Sequence, residues 1–249
     1  NLKATKHTNP MLLCPDCLSD KIKKNGHTHY GKQNHKCNDC GRQFVLNNNH
    51  TIDENLREIV RRALMERISL RGICRMLGVS LTWLLDFAEM TWSEAPADLA
   101  ALHDEELPDK LQITGLQLDE MWSFVGRKKT KVWIWVAYKP DAKQVIAFHM
   151  GKRNLESALA LWTKIPEQMR RHCYIETDRW EALRSIVPFD NHWIGKTYIF
   201  YIESLFSAVR ARVSRLVRRS KSFSKKLENH DAAITYSFWQ WNLARQPYI

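Results

Sequence analysis

Asp119 stands inside an otherwise apolar, strand-like run, Leu116-Gln117-Leu118-Asp119-Glu120-Met121-Trp122-Ser123-Phe124-Val125. An ionised carboxylate in a buried strand is unfavourable unless something neutralises it. In a catalytic site a metal ion commonly does so. Asp178 follows Cys173-Tyr174-Ile175-Glu176-Thr177, at the carboxyl edge of a second apparent strand, where sites in such sheets open. Glu203 lies in Tyr201-Ile202-Glu203-Ser204, on a helix whose apolar stripe is Ile202, Leu205, Val209, Val213 and Leu216. Between the three acids lie 58 and then 24 residues, separations that let a fold bring them together. The chemistry such a set suits is in-line displacement at phosphorus, with two Mg²⁺ ions about 3.5–4 Å apart. Hard Mg²⁺ takes oxygen ligands and keeps several waters, so two or three carboxylates suffice. Glu120 and Glu176 are the competing acids: Glu120 alternates away from Asp119 by one step, and Glu176, two steps from Asp178, is the harder to exclude.

The elements that must position these acids read as strands over 113–122, 131–138 and 144–150, a helix over 154–164, a strand over 172–177, and helix from about 199. Lys139-Pro140-Asp141-Ala142 is a hairpin turn between the second and third strands. Three antiparallel strands, a helix and a further strand begin a ribonuclease-H-like mixed-sheet domain, expected over 113–249. Trp239 and Trp241 are expected in the core of its last helix.

A second set of residues points to a different metal. Cys14-Pro15-Asp16-Cys17 and Cys37-Asn38-Asp39-Cys40 are two C-x2-C knuckles separated by nineteen residues. That is the zinc-ribbon pattern, four thiolates closing a tetrahedral structural Zn²⁺ site. Short polar strands are expected around Lys21–Lys24 and His27–Tyr30, and another at Gly41-Arg42-Gln43-Phe44. His27, His29 and His35 are read as surface residues or phosphate contacts, because four Cys already satisfy zinc. Residues 1–50 form this small module, with metal supplying its folding energy.

Over 51–92 a helical stripe runs through Leu56, Ile59, Val60, Ala63 and Leu64. Ser69 then caps a short helix ending at Leu77, Gly78-Val79 turns, and Ser80 caps a third helix from Leu81 to about Thr91. Short helix, glycine turn and capped helix make a helix-turn-helix bundle for DNA, with a plain three-helix bundle as the alternative. Arg71, Arg75 and Thr82 are its candidate DNA contacts, and Cys74 is read as a buried small apolar residue, not a ligand. Residues 93–112, with two Pro and several acids, read as a linker. The fold class expected is therefore multi-domain α/β.

Charge is distributed unevenly. The 249 residues carry a formal net charge of +11, and nine Lys or Arg against two acids fall within 196–228. Arg210, Arg212, Arg215, Arg218, Arg219, Lys221, Lys225 and Lys226 are the expected phosphate contacts. Such clustering favours a polyanionic partner over general solubility. No apolar run reaches the roughly 18 residues of a membrane span. Six Cys without a secretory signal suggest a reducing compartment, so a cytoplasmic protein is expected.

At these residues the chain resembles the insertion-sequence-one family of DNA transposases, of the DDE type. The resemblance is carried by the ribbon and helix-turn-helix in front, Asp119-Glu120-Met121-Trp122-Ser123-Phe124-Val125, Thr177-Asp178-Arg179-Trp180, and the block from Arg212 to His230. It implies Asp119, Asp178 and Glu203 as the catalytic triad, with Mg²⁺-dependent cleavage at terminal inverted repeats and attack of the new 3′-OH on target DNA. It further implies double-stranded DNA (transposon ends and target) as partner, a homodimer or higher multimer, and a prokaryotic, nucleoid-associated location. Two positions depart from the family pattern: Phe206 stands where Asn is common, and Arg179 where Gly is common. A DNA-binding regulator or domesticated relative with a weak or inactive core is the alternative, and a nuclease of RNA–DNA hybrids a third reading.

Overall fold

In the computed structural model, residues 12–28, 31–46, 52–97, 99, 115–216 and 222–245 are described. They are mixed α/β, with two sheets and eight α-helices among the described residues. The chain divides into two compact units, 1–54 and 55–249.

The first unit holds β1 (Ile22–His27), β2 (Gln33–Cys37) and β3 (Gln43–Val45) in an antiparallel sheet of that order. β1 bridges the two stretches expected to be separate short strands. Tight turns at the knuckles carry the cysteines, with Leu18 N–H bonded to Cys14 O at 3.0 Å and Gly41 N–H to Cys37 O at 3.1 Å. Gly41 sits at φ +77°, a left-handed conformation that glycine adopts without strain. His35 corrects the expectation of a surface histidine. It is buried and stacks on Phe44, its register partner, with ring centroids 5.7 Å apart. In so small a sheet an imidazole face supplies apolar area that few other side chains provide. His27 is exposed, and His29 lies outside the described residues.

The second unit begins with α1 (Glu54–Leu64), α2 (Leu70–Leu77) and α3 (Leu81–Trp92). Ser69 Oγ accepts from Gly72 N–H at 3.0 Å and Ser80 Oγ from Trp83 N–H at 3.2 Å. Each cap satisfies an amide that the helix leaves orphaned. Gly78, left-handed at φ 69°, closes α2 by donating to Cys74 O.

The larger sheet runs β6-β5-β4-β7-β8: β4 is Gly115–Phe124, β5 Lys131–Lys139, β6 Gln144–Gly151, β7 Tyr174–Thr177 and β8 His192–Ile194. β4, β5 and β6 are antiparallel neighbours, whereas β7 and β8 join parallel. A parallel partner requires a crossover, supplied by α4 (Leu155–Lys164) and α5 (Glu167–His172). After β7 come α6 (Glu181–Ile186), β8, α7 (Phe200–Arg212) and α8 (Leu227–Leu243). The short elements α5, α6 and β8 were not anticipated, and the expected long helix from 199 is broken, α7 ending at Arg212.

Strand alternation sorts the core into two layers. Met121, Ile134, Val136 and Val145 face Ile202, Leu205, Val209, Ile234 and Phe238. Leu116, Leu118, Trp135 and Ala137 face the other way, onto Ala158, Leu161, Met169 and Leu183. Trp239 and Trp241 pack against the first layer, as expected of the last helix. Asn242 holds the end of α8 to the edge of the sheet: its amide accepts from Val145 N–H and donates to Val145 O, both at 2.8 Å. Such a pair replaces the partner strand that β6 lacks on that side.

The three helices 54–92 belong to the same compact unit as this sheet. Ala88 and Trp92 of α3 pack on Ala233 and Tyr236 of α8. Arg212 pairs with Glu66 at 3.1 Å, and Asn229 donates to Glu89 at 2.8 Å. Leu99, within the stretch expected as linker, is buried in the first core layer.

Candidate functional site

β4 and β7 lie parallel with Leu118 opposite Thr177, the last residue of β7, so Asp119 and Asp178 each directly follow that pair, Asp178 just beyond its strand. Asp119 shares its strand face with Gln117 and Met121, the face covered by α7. Glu203 is exposed in the first turn of α7, while its neighbours Ile202, Leu205 and Phe206 are buried beneath. The three acids, far apart in sequence, are near enough for the charges of Asp178 and Glu203 to act on Asp119. Their electrostatic coupling is direct. Burial first, then the like charges of Glu120, Asp178 and Glu203, push the Asp119 carboxyl up to about 7, against the opposing pull of the Glu120 amide.

Hydrogen bonds fix two of the carboxylates. Asp119 Oδ1 accepts from Glu120 N–H and Asp178 Oδ1 from Trp180 N–H, each at 2.8 Å. A crowded set of acids, one of them with its carboxyl pushed up chiefly by burial, fits divalent cations bound by oxygen. Among the described residues only the four cysteines form a group of three or more His, Cys, Asp or Glu side chains gathered closely enough to hold one metal ion.

The competing acids are occupied elsewhere. Glu120 points to the opposite face and accepts from Arg153 Nε at 2.7 Å. The Arg153 guanidinium lies between Trp133 and Trp180, 5.0 and 4.8 Å from their ring centroids. Glu176 accepts from Gln117 Nε2 at 2.9 Å, close against Gly115, where any Cβ would collide with its carboxylate.

Gln117 is the residue that sequence reasoning passed over. Helix α7 has no side-chain cap of its own, with Ile199 at its N-cap position. Gln117 supplies one across the core: its Oε1 accepts from Ile202 N–H at 2.7 Å, and its Nε2 donates to Tyr198 O and to Glu176. The strand bearing Asp119 therefore caps the helix bearing Glu203. The available signal was Gln117's position two residues before Asp119, hence on the same face. Arg153 follows β6 in a turn and had no such signal.

The basic residues divide into two groups. Lys225 and Lys226 are exposed, as are Arg71, Arg75 and Thr82 on the helical elements. Arg212 is engaged by Glu66, and Arg210 is half-buried. Arg215 is turned inward: its guanidinium lies 4.4 Å from the Trp92 ring centroid and donates to Ser224 Oγ at 2.8 Å. Burial lowers its pKa to about 10. Arg218, Arg219 and Lys221 lie outside the described residues. Phe206 is a core residue packed in the first layer, and Arg179 is exposed beside Asp178.

In the smaller unit, Cys14 Sγ lies 3.5 Å from Cys40 Sγ and Cys17 Sγ 3.6 Å from Cys37 Sγ, with all four sulfurs within 4.8 Å. A Zn–S bond of about 2.3 Å gives tetrahedral edges of about 3.8 Å, so the cluster fits one such ion. A donor hydrogen bond from the Cys40 backbone is the largest influence drawing the Cys37 thiol down to about 7.

Comparison with known proteins bears on the larger unit. The family profile described as IS1 transposase matches residues 112–241, just over half of the chain. The insertion element iso-IS1n protein InsB of Shigella dysenteriae is 36% identical over 121 residues, which cover 47% of this chain and 88% of that protein. The IS1 protein InsB of Shigella sonnei is 33% identical over 119 residues, covering 47% and 88%. The IS1 2 protein InsB of Escherichia coli K12 is likewise 33% identical over 119 residues, covering 47% and 70%. The chain belongs to the IS1 transposase family.

Proposed function

We propose that this transposase cleaves DNA at the terminal inverted repeats of its element and joins the new ends to target DNA, using Asp119, Asp178 and Glu203. The observation that carries the reading is that Asp119 and Asp178 each directly follow the last register pair of β4 and β7, Leu118 and Thr177, with the charge of Glu203 on α7 acting on Asp119. The larger sheet is read as a ribonuclease-H-like catalytic fold over 113–249, α2 and α3 as a helix-turn-helix, and residues 1–50 as a zinc ribbon.

Two Mg²⁺ ions bound by the triad would activate the attacking oxygen and stabilise the leaving one. The chain's own contribution is orientation. The Glu120 and Trp180 amides each hold one carboxylate oxygen of Asp119 and Asp178. Gln117 sets the start of α7 and with it the direction of Glu203. Lys225 and Lys226 offer phosphate contacts from the start of α8, and Arg71, Arg75 and Thr82 from the helical elements. Arg215 serves the scaffold. The family works on double-stranded DNA inside prokaryotic cells, and synapsis of two ends calls for a dimer or higher multimer. Among the described residues no helix is long and apolar enough to cross a membrane.

The test is purified protein incubated with duplexes carrying its own element's ends, with Mg²⁺ or Mn²⁺ and without. Metal-dependent nicking and joining that vanish in Asp119→Ala are expected. Tight end binding without any nicking would leave the chain a DNA-binding regulator, and cutting of RNA–DNA hybrids alone would make it a nuclease.

A further inference from the structure

Between β8 and Glu203 the aromatic and aliphatic side chains part company. Ile199 and Ile202 are buried, yet Phe200 and Tyr201 are 65% and 58% exposed, Trp193 and Tyr198 44% and 41%, and Phe189 91%. Burying such rings is normally the largest gain a side chain of this kind offers, so a cluster of them left in water marks a surface with a partner. The rings are ordered against one another. Tyr174 and Trp193 have centroids 4.8 Å apart, Trp193 and Tyr198 5.5 Å, and Phe200 and Tyr201 5.5 Å. The strip follows β8, the last strand of the sheet, and continues onto the first turn of α7. There Phe200 and Glu203 are i and i+3, hence neighbours on the helix surface.

Charge narrows the choice of occupant. From Phe189 to Glu203 the charged side chains are Asp190, Lys196 and Glu203, all exposed, and between Trp193 and Ile202 the one charge is Lys196. Exposed Arg184 reaches this edge as well, its charge acting on His192. Aromatic faces interleaved with cations, beside a carboxylate read as catalytic for phosphodiester chemistry, match unpaired nucleotides: every base has a face to stack, and phosphates meet the cations.

We infer that the strip Trp193, Tyr198, Phe200 and Tyr201 is a stacking platform for unpaired bases of the DNA strand that passes Glu203. The inference rests on the transposase reading above and adds a strand-separated substrate to it. Duplex ends would be opened, or already frayed, where they meet the site, and the rings would hold the displaced bases after pairing is lost.

The experiment compares the full-length chain on two probes: a blunt duplex, and the same duplex with an unpaired oligothymidine tail that carries 2-aminopurine beside the junction. The tailed duplex is expected to bind more tightly and its 2-aminopurine to change emission on binding. Phe200→Ala and Trp193→Ala are each expected to weaken tailed-duplex binding by about tenfold, the loss of one stacked base, while blunt-duplex affinity stays within about twofold. Phe200→Tyr and Trp193→Phe, which keep a ring, should restore the tailed-duplex preference. A parent protein that binds both probes equally would overturn the platform while leaving duplex binding, and the transposase reading, intact. Alanine variants that lower the molecular mass in solution without changing the tailed-duplex preference would assign the strip to contact with a second copy and overturn it as well. A parent protein that binds neither probe would overturn the transposase reading itself.

Discussion

Replacing Gln117 by Leu tests whether the strand of Asp119 holds the helix of Glu203. The side chain is almost wholly buried and makes three hydrogen bonds, to Ile202 N–H, Tyr198 O and Glu176. Leu keeps most of the volume but leaves the Ile202 amide and the Tyr198 carbonyl without that partner. A buried group left unsatisfied costs about 1–3 kcal/mol. Two such groups, offset by the apolar gain of Leu, give a loss of about 3 kcal/mol against a total of roughly 5–15. For a unit of this size that lowers the melting temperature by about 6–12 °C, so the variant stays folded at room temperature. Activity should fall much further. A displacement of about 1 Å at a reacting group costs on the order of a hundredfold. Metal-dependent nicking is therefore expected to drop about a hundredfold, with end-DNA affinity unchanged. The assays are a thermal melt, a binding titration and nicking in Mg²⁺. A Gln117→Leu protein that melts lower but nicks within threefold of the parent would refute the positioning argument, because Glu203 would then be held by something else.

Three further outcomes follow from the structure. His230 is fully buried, and burial, then the charge of Arg215, lowers its pKa to about 4. Depressed in the folded state, it contributes stability above the ordinary histidine value that is lost as pH falls from about 6.5 to 4, roughly 3 kcal/mol in all. His230→Asn should flatten the acid limb of a denaturation series by that amount, and an unchanged limb would reject the assignment. The four-cysteine cluster should hold about one zinc per chain by elemental analysis, with Cys37→Ser losing it; a full zinc content in that variant would count against the site. Restoring the family's polar residue with Phe206→Asn should destabilise the larger unit by about 3–5 kcal/mol in urea unfolding without raising activity, since the position is packed in the core. A gain in nicking would place residue 206 in the site after all.

The strands that carry and flank Asp119 were legible because their periodicity is clean. β4 to β6 alternate between two buried layers, and the turn at Lys139–Lys143 interrupts them with Pro140 and a left-handed Lys143. The capping serines and Gly78 announced α2 and α3 for the same reason, since each satisfies an orphaned backbone group that few other residues could. The clustering of the four cysteines was readable from spacing alone, because two C-x2-C turns can bring four thiols close enough to hold one tetrahedral ion. What escaped is short or depends on distant partners. α5, α6 and β8 are too brief to show a period. His35 and Arg215 read as surface groups because a histidine or arginine carries no mark in sequence of the ring it will stack upon.

The fate of Phe206 bears on whether the family's chemistry survives in this chain. A polar residue exchanged for phenylalanine one helical turn from Glu203 looks, in sequence, like damage to the site. In the fold its ring is packed with Leu205 and Val209 in the layer beneath α7, while Glu203, one turn earlier, is exposed. The Phe206 ring thus helps seat α7 on the sheet, and Gln117 bonds the helix start. On the proposed reading, packing and the cross-core cap would orient Glu203 without a hydrogen-bonding neighbour on the helix itself. If that substitution of means is right, Gln117→Leu and Phe206→Ala should impair the same step, and the double variant should lose less than the two single losses added together, because both act through the position of one carboxylate. Independent, additive losses would show that residue 206 acts on stability alone and that the cap through Gln117 is the sole constraint the site depends on.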